Sequence, residues 1–300
     1  GSEQLLGAHV GATIIFLQYV GGTTLFHFIW SRRPNKFDFA LMTLNASAYF
    51  AMSYAMLWSE FRGWMGTFTL LLAAFYGVLA YTSIKTRGRG DHLGLMLIGI
   101  AILFVTIAVP VQMGGGWISV AWSVQGVILV WVAFVLKAKT MLYSGFGLLI
   151  VAGVRALIFD SVLPSEGYVI FLNYRMLGFL PVISALYAVA AIGNVRRSIF
   201  EGWDPTGYVY TAVIAANLLT LWALSAEIIG AFESVLISLP AAQLGSITSL
   251  SLTLLWAIYA AVVLALGIRK KWRAVRVGGL LLLTVPIVKL FLIDSFALDN

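Results

Sequence analysis

The feature that most constrains this chain is a succession of ten apolar runs, each close to the length of a bilayer crossing. They cover residues 5–30, 39–59, 65–82, 93–111, 117–136, 141–159, 176–193, 208–231, 246–267 and 277–296. A hydrocarbon core takes about 20 residues of helix to cross. Inside it every backbone amide must find a partner within its own segment, so such runs are predicted to be helices. Barrel strands would need only about 10 residues each. With 61% hydrophobic and 10% charged residues and a mean hydropathy of +0.97, the chain is far from the roughly quarter-charged mix of a soluble domain. The expected fold class is all-α: a polytopic transmembrane helical bundle of about ten spans, in a single domain covering residues 1–300.

A net charge of +7 on a soluble surface would suggest nucleic acid. Here the basic residues sit in short gaps between the apolar runs, where they report topology instead. When the gaps are assigned alternately to two sides, one side receives Arg32, Arg33, Lys36, Lys85, Arg87, Arg89, Lys137 and Lys139. It also receives Arg196, Arg197, Arg269, Lys270, Lys271, Arg273 and Arg276, making 15 of the 19 basic residues. Arg62 and Arg175 fall on the other side, with Arg155 and Lys289 inside helices near it. The positive-inside bias makes the rich side cytoplasmic and places both ends of the chain outside. The absence of cysteine removes disulfides and thiolate chemistry. The opening Gly1-Ser2 reads as a cloning scar, so this chain is expected to be a piece of a longer one. No Lys or Arg precedes the first span, so no cleavable signal is expected.

Sliding the chain by 134 positions lays residues 117–161 on 251–295 without a gap. Trp122 meets Trp256, Lys137 meets Lys271, Gly145 meets Gly279, Arg155 meets Lys289, and Asp160 meets Asp294. The clearest shared element is a basic residue, four apolar residues and a closing aspartate, at 155–160 and 289–294. The copies lie four spans apart, so a parallel repeat of two helical hairpins is predicted, unlike the inverted repeats of many transporters.

The run Ala121-Trp122-Ser123-Val124-Gln125-Gly126 opens one helix, another carries Asn217 and Glu227, and Arg276-Val277-Gly278-Gly279 leads into Lys289 and Asp294. In these motifs the chain resembles the bacterial predicted membrane proteins catalogued as domain of unknown function 2339, over roughly residues 40–300. The resemblance implies a multi-pass protein of the bacterial inner membrane and carries no activity with it. Family members are often longer, and commonly have an acidic residue where this chain has Gln125.

Ionisable groups within spans are costly and are read first as functional. Arg155 lies five residues before Asp160, about 7.5 Å below the end of its helix, and Lys289 matches that depth. Helical side chains lean toward the helix N-terminus, which points both cations deeper and hinders snorkelling. In an α-helix, residues five apart sit about 140° apart around the axis, so an Arg155–Asp160 pair is expected to be poor. Glu227, a turn or so below the outer boundary, is the expected partner. Gln125, Ser123 and His9 occupy similar depths. Arg155, Lys289, Glu227, Gln125 and His9 are thus expected to form one buried polar layer near the outer face, with Asp160 and Asp294 flanking it. As a site, the layer would bind an anion or headgroup, or relay protons. As structure, it is a charge-paired clamp.

The remaining candidates are weaker. His9 and His27 lie about 27 Å apart on one helix and His92 sits in a loop, so neither a metal nor a haem cofactor is expected. Gln18 and Asn45 are expected to hydrogen-bond between helices. Residues 160–175 form the longest outer connection and read as an aromatic interfacial segment. Arg196-Arg197 followed by Ile199, Phe200 and Trp203 suggests a segment lying on anionic lipid. No phosphate loop or hydrolase signature appears.

The leading functional expectation is transport or handling of an anionic solute or envelope-lipid headgroup through the outer layer. The alternatives are a non-catalytic scaffold holding protein partners in an envelope complex, and a membrane enzyme on a lipid-linked intermediate with Glu227 or His9 as base. Membrane lipids are the expected partners in every case, and nucleic acid is not. Single cysteines placed at Lys85 and at Ser165 are expected to label from opposite sides of the membrane. Labelling of both from one side would sink the topology.

Overall fold

The computed structural model describes residues 2–30, 35–88, 91–162, 168–196, 206–235, 241–271, 273–289 and 291. Ten α-helices and no strand occur among them: α1 Ser2–Trp30, α2 Lys36–Phe61, α3 Met65–Arg87, α4 His92–Gln112, α5 Trp117–Leu136, α6 Lys139–Arg155, α7 Tyr174–Val195, α8 Thr206–Val235, α9 Ala241–Arg269 and α10 Arg273–Lys289. Each predicted run coincides with one helix, to within five residues at every end except the last, which lies outside the described residues. Among the described residues, seven stretches are long and apolar enough to cross a membrane by length and composition. One of them, Phe37–Arg87, is 51 residues long. That is about 76 Å of helix, some two and a half times a hydrocarbon core. It holds α2 and α3, and the break falls at the 3-10 turn Arg62–Trp64.

The helices fall into two compact units, residues 1–114 and 115–300. In the first, the core is aromatic: Phe16 stacks on Tyr49 at 4.3 Å and Tyr76 on Phe104 at 5.9 Å. Asn45 donates to the Phe16 carbonyl across α1 and α2, as expected, whereas Gln18 lies exposed on α1. The Gln112 side chain ties the end of α4 to the turn before α3 through Gly63 and Gly66.

The second unit consists of three hairpins, α5–α6, α7–α8 and α9–α10, with the most buried side chains on α7, including Phe179, Val182 and Val189. Lipid supplies little hydrophobic drive between helices, so close packing must hold them, and small residues allow it. Gly145 of α6 lies against α5 so tightly that a Cβ there would stand 2.9 Å from the Gly126 carbonyl oxygen.

The 134-residue repeat is present in the geometry. Lys137 and Lys271 both turn their hairpins in left-handed backbone, at φ 54° and 57°, a conformation that costs a non-glycine residue about 1 kcal/mol or more. Gly145 packs on Val130, and its counterpart Gly279 packs on Leu264, again 134 positions on. In the first copy, α6 ends in the π-helical turn Ala156–Asp160. At the equivalent place Phe291 is also π-helical. Asp294 and Ser295 lie outside the described residues, as do 163–167 of the outer connection and 197–205, which include Ile199, Phe200 and Trp203.

A matched pair of substitutions tests the packing. Gly145→Ala is expected to cost about 1–3 kcal/mol of stability in detergent through overpacking. Gly147→Ala, where a Cβ meets open space, is expected to be neutral or to stabilise by up to about 1 kcal/mol.

Candidate functional site

The polar groups of the second unit gather where α5 and α7 begin and α6 ends. Arg155 and Asp160 make an ion pair of 2.8 Å with side chains only 14% and 4% exposed. This corrects the expectation of a poor pair. The intervening residues are π-helical, and a π-helix bonds residue i to i+5, so side chains five apart face the same way. The direction of Arg155 is corrected too. Its guanidinium runs toward the C-terminal end of its helix, to Asp160 and to the Gly115 carbonyl at 3.0 Å, because an acceptor at the helix end outweighs the N-terminal lean. Ser119 on α5 completes the knot, accepting from Arg155 at 2.8 Å and donating to Asp160 at 2.6 Å. The carboxylate lies against α7 where Gly178 leaves room: a Cβ there would come 2.6 Å from Asp160 Oδ2.

Glu227 on α8, 2% exposed, is held by a different partner from the one expected. Arg175, the first basic residue of α7, stands with Nη1 at 3.6 Å from its Oε1. Asn173 Nδ2 donates to the carboxylate at 2.9 Å, the Phe171 amide at 2.9 Å and the Tyr168 hydroxyl at 3.0 Å. Phe171 takes a left-handed φ of 63° to aim that amide, a strain set against a charge-assisted hydrogen bond. Burial, together with the bonded Glu227 carboxylate and against the opposing pull of Arg175, pushes the Tyr168 phenol up to about 12. It therefore remains a donor at physiological pH. Arg175 Nε also donates to the Ser161 carbonyl at 3.2 Å, which joins the two knots through residues 160–161.

Lys289 donates to the Ser249 carbonyl at 3.0 Å and to the Thr253 hydroxyl at 2.7 Å. These positions are the repeat counterparts of Gly115 and Ser119, the groups that Arg155 uses. The expected layer is thus resolved into local sets: Arg155 with Asp160 and Ser119, Glu227 with Arg175 and the 168–173 connection, Lys289 with Ser249 and Thr253. Gln125 lies half-buried six residues along α5 from Ser119, and Ser123 bonds back to the Ser119 carbonyl. His9 belongs to the other unit, where its Nε2 is 3.2 Å from the Ser53 hydroxyl, beside Tyr49 and Phe68. Among the described residues no group of three His, Asp or Glu side chains is placed to hold a metal.

Arg175 and Asn173 escaped the sequence reading. A signal existed for the first: Arg175 is one of the two loop cations on the cation-poor side, where the positive-inside rule gives it no reason to be. Asn173 caps α7 through the Met176 amide at 3.0 Å, and its second role is tertiary.

A membrane-embedded all-helical bundle with a repeated hairpin and charges paired inside it defines the class of protein. The chain belongs to the family described as Predicted membrane protein (DUF2339), which matches it twice, over residues 2–163 and 139–300. Each match closes just past one copy of the basic-to-aspartate turn, and the first takes in α1 as well. Comparison with curated proteins and with solved structures finds no match.

Removing one member of a buried pair strands its partner's charge. Glu227→Gln and Asp160→Asn are each expected to cost about 3–5 kcal/mol, read as thermal unfolding in detergent. Gly178→Ala should lower stability too, by displacing Asp160 from Arg155. A wild-type melting curve for Glu227→Gln would show that Arg175 does not depend on it.

Proposed function

We propose that this chain is a non-catalytic structural member of a bacterial inner-membrane assembly, with both ends extracytoplasmic and the outer polar layer serving as a clamp. The observation that carries this reading is that the charges gathered around α7 are answered from within the bundle: Arg155 by Asp160, and Glu227 by Arg175 and three hydrogen-bond donors. A site that takes up an anion keeps a cation in reserve, and these cations are largely committed. The same four contacts argue against Glu227 as a general base. The scaffold's partners would be envelope proteins together with the surrounding lipid.

A second reading, the handling of an anionic solute or lipid headgroup through this layer, draws on one detail. Arg175 Nη1 is buried and, among the described residues, makes no hydrogen bond; its contact with Glu227 is the 3.6 Å ion pair. An anion displacing that carboxylate would find a donor ready.

A buried ion pair that serves structure alone can be exchanged for apolar side chains of similar volume at little cost, whereas either single change is expensive. Glu227→Leu is therefore expected to destabilise strongly, and adding Arg175→Met to recover part of that loss, the donors at 168–173 staying unanswered in both variants. The clamp reading also expects no heat on titrating inorganic phosphate or glycerol phosphate into the wild type. A saturable heat that the double variant lacks would favour the anion reading.

A further inference from the structure

At the opposite end of α7–α10 from the clamp, two apolar cavities of about 380 and 320 Å³ lie within the second unit. Each falls in the range of about 300–1,000 Å³ typical of ligand pockets. They share Val213, Asn217, Val263 and Val275, so they are two arms of one cleft. Its floor is polar but closed on itself. Tyr259 bonds the Asn217 side chain at 2.7 Å, Asn217 donates to the Val213 carbonyl at 2.7 Å, and Tyr187 and Thr220 bond into the same cluster. The floor therefore asks no polar group of an occupant. The mouth differs: Lys270, exposed just past the end of α9, lines the larger arm together with Asn194. Arg269 and Lys271, its neighbours in the chain, are exposed too, as is Arg276 early in α10. From Lys270 to Tyr259 is eleven residues of α9, about 16 Å.

Lys270 is not demanded by the hairpin turn. The repeat supplies that comparison: the turn positions are Lys137 and Lys271, and the first copy carries Leu136 where the second has Lys270. The second hairpin thus has three additional cations, Arg269, Lys270 and Arg276, and Lys270 is the one that lines the cleft. Basic pockets between membrane helices on the positively charged side are suited to anionic lipid headgroups.

We propose that this cleft is a specific site for an anionic diacyl phospholipid, with one acyl chain in each arm and the phosphate on Lys270. The occupant has two tails because the cleft has two arms. It is anionic because the charged side chain that lines the mouth, among the described residues, is the cation Lys270, and it is a lipid because the walls are apolar and end in a self-satisfied floor. The site is independent of the clamp, which lies at the other end of the helices.

The test is native mass spectrometry of the delipidated protein in detergent, with phosphatidylglycerol and phosphatidylcholine added separately. Phosphatidylglycerol should be retained more tightly than phosphatidylcholine. Lys270→Gln should lower its retention about fivefold or more, the attraction of a single lysine to an anionic lipid surface. Lys137→Gln, which removes the turn cation of the other hairpin, should leave retention unchanged. Val213→Trp, which adds bulk to both arms, should abolish binding. If that variant fails to fold, the two lysine variants decide the matter alone. Equal retention of the two lipids, no effect of Lys270→Gln, or an equal effect of Lys137→Gln overturns the proposal.

Discussion

A charge inside a bilayer has no water to turn to, and the second unit is organised around that fact. Arg155 needs acceptors where its helix places it, and the nearest carboxylate in sequence lies on the wrong side of an α-helix. The chain resolves the conflict by loosening its last turn into a π-helix, which swings Asp160 round to meet the cation. Once Asp160 is there, the neighbours must conform. Ser119 donates to it, α7 presents Gly178 so that the carboxylate can lie against backbone, and Ser161 is left with a carbonyl for Arg175 to bond.

That chain of consequences explains why the two ion pairs are linked although they share no charged residue. Arg175 bonds Ser161 through Nε and turns Nη1 toward Glu227, so the turn that closes α6 also sets the guanidinium that holds α8. The connection from 168 to 173 is drawn in by the same carboxylate, to the point that Phe171 accepts left-handed backbone. A buried pair of this kind contributes little net stability compared with apolar packing, but it penalises every arrangement that separates its members. In the clamp we propose, it would favour one packing of α5 to α8 among those that slippery apolar surfaces would allow.

The repeated hairpin applies one solution twice with different chemistry. Lys289 finds a carbonyl and a hydroxyl at the positions where Arg155 finds a carbonyl and a hydroxyl, one repeat length earlier. What changes between the copies is the surface opposite. The first hairpin packs on α7, while the second borders the cleft of α7 to α10 and has Lys270 at its mouth.

The class of fold, the ten helices and the repeat were all legible in the sequence, because the bilayer imposes a length on each segment. The burial of Glu227 was legible too, since an ionisable side chain within a span is expected to face the inside of the bundle. The partners of the buried charges were not. Pairing depends on the angle at which a side chain leaves its helix, and the α-helical period of 3.6 residues failed at the one turn where it mattered, since nothing local distinguishes 156–160 from ordinary helix. Arg175 looked like a loop cation because its acceptor lies 52 residues away on another helix. The hairpin register could be read in one dimension because the copies share a chain direction. Which carboxylate meets which cation, and where a cleft remains between helices, were decided only by the three-dimensional packing, because apolar helices of equal length can pack in many ways and only polar contacts distinguish among them.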